Sequence, residues 1–119
     1  MYKRHIIGKI GEDIAESYLI KNKYEIIERN FSCRQGEIDI IAKYKNEIVF
    51  IEVKTRSNNK YGNPIDAVTY FKKNHILKSI QYYLFSRKLE NCFIRIDIIE
   101  VYYKDNKYFV NHVKNAINI

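Results

Sequence analysis

Residues 36–56 read GEIDIIAKYKNEIVFIEVKTR, and the pattern in this stretch decides how the rest of the chain is organised. Successive side chains on a strand point to opposite faces. In Ile48 to Thr55, Val49, Ile51 and Val53 therefore share one face, and Ile48, Phe50, Glu52 and Lys54 share the other. Both faces begin apolar, as in a strand buried at the middle of a sheet. Glu37 to Lys43 alternates in the same way, with Ile38, Ile40 and Ala42 on one face and Glu37, Asp39 and Ile41 on the other. The polar link Tyr44-Lys45-Asn46-Glu47 has hairpin length, so the two strands are expected to pair antiparallel. Charges then interrupt apolar faces on both strands. Lys and Glu are almost never fully buried unless paired, and antiparallel pairing brings same-face residues within reach of one another. With Glu37 and Asp39 on the face of Glu52 and Lys54, three carboxylates and an ammonium meet at one place. The sequence does not set that register.

Working outward, residues 10–22 read as a helix, with Ile10, Ile14, Ala15, Tyr18 and Leu19 at helical spacing and Glu12, Asp13, Glu16 and Lys21 filling the other side. Gly8 and Gly11 blur its start. Tyr24 to Arg29 is a short strand and Asn30 to Gly36 a turn-rich link. Beyond the hairpin, Ser57 to Pro64 (SNNKYGNP) is a loop. A long helix follows from about Ile65 to Arg87, with Pro64 at its start, where Pro is tolerated. Phe93 to Tyr103 is a strand, Asp105-Asn106 a turn, and Tyr108 to Val113 a last strand. The order α-β-β-β-α-β-β points to an α/β fold: a mixed central sheet with an antiparallel hairpin, flanked by helices.

The chain has 119 residues, 46% hydrophobic, with 11 Tyr and 6 Phe. That is enough for one core, so residues 1–119 are expected to form a single domain. Its apolar runs are too short for a transmembrane helix, and Met1 to Ile10 lacks the apolar stretch of a signal peptide. Cys33 and Cys92 show no metal-ligand or disulfide spacing. A cytoplasmic protein with no membrane partner is expected. The 21 Lys+Arg against 14 Asp+Glu give a net charge of +7, which favours polyanionic partners, nucleic acid first. A bias toward Lys, Asn, Ile and Tyr from AT-rich coding accounts for that charge equally well.

Clustered carboxylates repel and need a cation to be ionised together. Hard oxygen ligands suit Mg²⁺ or Mn²⁺, and a Lys beside such a metal can orient a water or offset charge on a phosphoryl transition state. The competing explanation for Glu52 and Lys54 is an exposed ion pair, worth under about 1 kcal/mol.

Asp39 followed by Glu52-Val53-Lys54 on the next strand resembles the D…(D/E)xK signature of the PD-(D/E)XK nuclease superfamily. Within it, the sequence resembles the bacterial YraN family more closely still. It is carried by Gly36 to Ile41, Phe50 to Arg56, Tyr61-Gly62-Asn63-Pro64, Ala67-Val68-Thr69 with Lys72, and Arg95-Ile96-Asp97, and it extends to Gly11-Glu12 with Ala15 and to Arg29-Asn30-Phe31. It covers roughly residues 8–101. The position before Asp39 holds Ile38 where the superfamily signature has Pro. The resemblance implies a restriction-endonuclease-like core and hydrolysis of DNA phosphodiesters with Mg²⁺ or Mn²⁺. Asp39 and Glu52 would be metal ligands and Lys54 the catalytic lysine. Glu12 resembles an acidic residue found on the first helix of archaeal Holliday-junction resolvases and would bind a second metal or its water. That likeness makes branched or junction DNA, bound without reading sequence, the expected substrate, and a homodimer the natural way to cut two strands symmetrically.

Glu37 would join the metal site or pair with Lys54 or Arg56. Arg56 and Lys72 are candidate phosphate contacts, with a solvated helix face as the alternative for Lys72 beside Lys73. Tyr61 is a candidate for stacking on a base. Arg95 and Asp97 are expected to form a buried or edge ion pair and not to act in catalysis. His5, His75 and His112 form no ligand set. The alternatives to an enzyme are a non-catalytic nucleic-acid-binding module or an adaptor on the same fold.

Overall fold

The computed structural model describes residues 2–56, 70–89 and 91–117. Its elements run in the expected order: helix α1 (Tyr2–Lys21), strands β1 (Glu25–Cys33), β2 (Gly36–Tyr44) and β3 (Glu47–Arg56), helix α2 (Tyr70–Ser86), and strands β4 (Phe93–Lys104) and β5 (Lys107–Val113). The strands form one sheet in the order β1-β2-β3-β4-β5. Neighbours are antiparallel except β3 and β4, which run parallel. A parallel pair needs a crossover, and the segment carrying α2 supplies it. The result is the mixed α/β sheet that the sequence predicts, consistent with a restriction-endonuclease-like core.

One helix covers each face. Ala15 and Leu19 of α1 pack with Tyr24, Ile40, Val49, Ile51 and Ile99. Ile76, Ile80 and Tyr83 of α2 pack with Phe31, Ile38, Phe50 and Ile96 on the other side. This double cover is why β3 is apolar on both faces at its start. Among the described residues, no helix is long and apolar enough to cross a membrane.

Three local expectations are corrected. β1 runs on to Cys33, past the expected end at Arg29, because Phe31 is buried against α2, edge-on to Tyr83 with ring centroids 5.2 Å apart. The turn shrinks to Arg34-Gln35, leading into Gly36 at φ 152°. On β2, Ile38 does not share a face with Ile40 and Ala42. It packs on the α2 side and they pack on the α1 side, so the strand changes face at Asp39. Helix α1 starts at Tyr2, eight residues before the expected position 10. The start of the second helix, expected at Ile65, and the loop Ser57 to Pro64 with Tyr61 lie outside the described residues.

Gly11 does not terminate α1. It is where the helix touches β3: a Cβ there would collide with Thr55 Oγ1 and sit 3.1 Å from Thr55 Cβ. Thr is stiff at χ1 and cannot swing aside freely. Gly11→Ala is therefore expected to lower stability by about 1–3 kcal/mol in urea unfolding, overriding Ala's better helix propensity. Gly8→Ala, with nothing within 4 Å of the added methyl, is expected to stabilise by about 0.5–1 kcal/mol. Equal effects at the two positions would refute the contact.

Candidate active site

The β2–β3 ladder runs from Tyr44 opposite Glu47 to Ile40 opposite Ile51 and stops. The next pair in that register is Asp39 opposite Glu52. There Val53 N–H donates to Asp39 Oδ2 at 2.8 Å, so a side-chain oxygen takes the place of a main-chain acceptor and the strands part. Each prong of the fork is held by its outer neighbour. β2 stays paired to β1 through Phe31–Ile38 and Ser32–Glu37, and β3 stays paired to β4 from Glu52–Ile98 to Arg56–Tyr102. The two acids thus sit at the crotch of an opened hairpin on a rigid frame.

Burial makes both carboxylates costly to ionise. Glu52 is only 8% exposed. Burial first, and then the neighbouring Asp39, raise its pKa to about 8. Asp39 is raised to about 6, again by burial, against the opposing pull of the Val53 N–H. The charges of Glu12 and Glu37 push both values up, and that of Lys72 pulls both down. Residues from α1, β2, β3 and α2 therefore share one electrostatic field at the fork. Of the residues singled out from sequence, Asp39, Glu52, Glu12, Glu37 and Lys72 are brought together. Lys72 is half-buried on α2 and acts on both acids.

Glu12 is steered by Arg29 of β1, whose Nη2 lies 3.2 Å from Glu12 Oε1. The same guanidinium bonds Asp13 at 2.7 Å and lies 3.7 Å from Glu16, so one arginine gathers the acidic side of α1. That role is invisible in a linear reading, because the three acids and Arg29 meet only through packing.

Lys54 is half-buried, on the Glu52 side of β3 by alternation, with Glu100 of β4 in register beside it. Glu100 is 8% exposed, and its carboxylate accepts from Arg56 Nε at 2.7 Å. Arg56 is thus tied down at its Nε, and Lys54 has no ion pair among the described residues. Sequence reasoning missed Glu100; its position on an otherwise apolar strand, IDIIEV, is the signal that was available.

Among the described residues, no three His, Cys, Asp or Glu converge tightly enough to cage a metal by themselves. The donor set suits Mg²⁺ nonetheless. That ion commonly keeps several waters and is held by one or two carboxylates together with substrate phosphates. Glu52, buried, and Asp39, half-buried beside it, are the two acids a cation would relieve.

Arg95 and Asp97 form the expected structural pair, on the opposite face of the sheet. Asp97 is fully buried and accepts from Arg95 Nε and Nη2, each at 2.9 Å, and from Asn115 N–H at 2.9 Å. His112 Nε2 lies 2.7 Å from Asp97 Oδ2, and Tyr18 Oη lies 3.0 Å from His112 Nδ1. This network bolts α1, β4 and β5 together. His112 is one of its links.

The family model for "Uncharacterised protein family UPF0102" matches residues 11–101. The chain is 48% identical over 113 residues to "UPF0102 protein TTE1452" of Caldanaerobacter subterraneus, covering 92% of this chain and 93% of that one. It is 49% identical over 116 residues to a UPF0102 protein of Clostridium botulinum (95% and 94% covered) and 45% over 118 residues to one of Caldicellulosiruptor saccharolyticus (98% and 99%). A solved structure, "Crystal structure of SSO0001", aligns at TM-score 0.37 and 19% identity over 98% of this chain and 54% of that one. The YraN resemblance of the motifs and these matches agree, and the chain belongs to the UPF0102 family.

Proposed function

We propose that this protein is a metal-dependent endonuclease that hydrolyses DNA phosphodiester bonds, with branched or junction DNA as its substrate. The observation that carries the reading is the opened hairpin, which sets Asp39 and Glu52 side by side in a buried fork with Lys54 on the next outward position of the same strand face. Proteins hold costly buried acids where chemistry uses them.

Asp39 and Glu52 would hold Mg²⁺ or Mn²⁺, which when bound supplies a Lewis acid for the scissile phosphate and lowers the pKa of the attacking water. The Val53 N–H fixes Asp39 Oδ2 and leaves its Oδ1 for the ion. Glu12, aimed by Arg29, and Glu37 add negative charge that draws a second cation or its water. Lys54 Nζ donates to a phosphate oxygen and orients the water. Hydrolysis forms one P–O bond from that water and breaks one P–O ester bond, with the proton ending on the leaving oxygen. Lys72 balances the acids while no cation is bound and offers a phosphate contact once one is. The +7 chain holds the backbone without reading bases.

The test compares wild type with Glu52→Ala and Lys54→Ala on labelled duplex, single strand, flap and four-way junction, with Mg²⁺, Mn²⁺ or chelator. Metal-dependent cutting lost in both variants, strongest on the junction, is the expected result. Salt-sensitive binding without cutting, retained by both variants, would replace the enzyme with a binding module on the same fold.

A further inference from the structure

The end of the β4–β5 hairpin carries a surface that the cleavage chemistry does not use. Asp105 and Asn106, at φ 53° and 61°, form a two-residue turn with both central residues left-handed, the type that keeps strand twist in register. It sets Tyr102 opposite Phe109 and Lys104 opposite Lys107. The Tyr102 and Phe109 rings stack with centroids 5.6 Å apart and planes at 19°. Phe109 is 40% exposed, and the pair opens, with Lys104 and Asp105, on a hollow of about 160 Å³.

Cross-strand aromatic pairs stabilise hairpins by themselves. Two further features are not explained that way. The first is charge: Lys104 and Lys107 face each other directly, a like-charge pair that weakens the hairpin and that a bound phosphate would relieve. The second is place. Arg56 is in register with Tyr102 and Lys54 with Glu100, so alternation puts Glu52, Lys54, Arg56 and Tyr102 on one continuous sheet face. Helix α2 packs on β1, β2, Phe50 of β3 and Ile96 near the start of β4, and at the far end of that face Phe109 stays 40% exposed. Four strand residues span about 13 Å and one strand spacing about 5 Å, so the ring pair lies a few nucleotides from the fork.

We propose that Tyr102 and Phe109 form a base-stacking platform for the unpaired nucleotides of a DNA strand, with Lys104 and Lys107 holding the flanking phosphates. Its path to the fork rests on the nuclease reading; its binding does not. Stacking on aromatic rings is tolerant of sequence because every base has a flat face. The platform would thus select single-stranded segments at branches while remaining indifferent to sequence.

The chain has no Trp, so Phe109→Trp places a single indole in the platform. In chelator, where no cutting occurs, oligo(dT) is expected to quench that indole at least twofold. An abasic sugar–phosphate chain of the same length should bind without quenching. Tyr102→Leu and Phe109→Leu, checked for native circular dichroism, should each bind oligo(dT) about tenfold more weakly. Equal quenching by the abasic chain, binding of oligo(dT) with no quenching, or unchanged affinity in both Leu variants would overturn the platform. So would an indole blue shift that grows with protein concentration in the absence of DNA, which would assign the face to a second copy of the chain. The two readings fail separately: quenching without metal-dependent cutting removes the nuclease and keeps the platform, and cutting without quenching does the reverse.

Discussion

In metal-free buffer at pH 8–9, Glu52→Gln is expected to melt about 5–15 °C above wild type while cutting DNA at least a hundredfold more slowly with Mg²⁺. The gain in stability follows from the sign of the titration. Burial and Asp39 raise Glu52 from 4.5 to about 8. Between those values the folded protein binds a proton that the unfolded chain has released, so stability falls as pH rises across the window. Above pH 8 the full cost of a buried carboxylate is present, a few kcal/mol. Gln is nearly isosteric with the protonated acid and carries no such cost. The difference between variant and wild type should be small near pH 4.5 and grow to its maximum above pH 8. Adding Mg²⁺ closes much of the gap, because a ligand that binds only the folded wild type stabilises it by about 2.7 kcal/mol at a hundred times its Kd. Thermal scans over pH 5–9, with chelator and with Mg²⁺, read both effects. A variant no more stable than wild type at pH 8.5 would show that Glu52 is not held at a cost.

The second large effect has the opposite character. Asp97→Asn is expected to lower stability by about 3–5 kcal/mol, a fall of roughly 10–20 °C in Tm, and to do so at every pH from 5 to 9. Burial pushes the Asp97 carboxyl up, but His112, Arg95 and the Asn115 N–H outweigh it and hold its pKa below the usual value. The stability it confers is complete above the unfolded value of 3.8 and is lost only as pH falls through the lowered folded one. Asn leaves the Arg95 guanidinium, whose side chain is only 13% exposed, with the longer 3.4 Å contact to the more exposed Glu47 in place of its buried counter-charge. The double variant Arg95→Met/Asp97→Leu, which removes both charges together, should recover part of the loss. Urea unfolding at pH 7 measures all three proteins. A loss below about 1 kcal/mol for Asp97→Asn would reduce the network to a surface-type ion pair. Two buried carboxylates in one small sheet thus differ in sign: Asp97 is surrounded by donors and supports the fold, whereas Glu52 faces other acids and weakens it.

Much of this was legible in the chain. Periodicity is a local property, and it located α1, β2, β3, β4 and β5 and put charged Glu52 and Lys54 on an otherwise apolar face of β3. The spacing of Asp39 from Glu52 across a short hairpin was enough to suggest that they meet. Period-2 alternation also misled where the chain departs from a regular strand. Ile38 and Ile40 were expected on one face and lie on opposite ones, because β2 changes face where Asp39 leaves the ladder. Phe31 looked like part of a turn, and only the α2 side chains that bury it extend β1 to Cys33.

By itself, then, the sequence determined the order of the elements, the apolar faces they bury and the identity of the residue types at the fork. Those follow from side-chain chemistry at spacings of two to four residues, which any local reading can detect. The tertiary structure alone decided which charges act on Asp39 and Glu52, that Arg29 aims Glu12, that Glu100 occupies Arg56, and that Tyr102 lies on the face of the fork. These depend on strand register and on the approach of α1 and α2 from opposite sides of the sheet. Register and approach are set by the summed packing of the whole core, a quantity no short window of sequence contains.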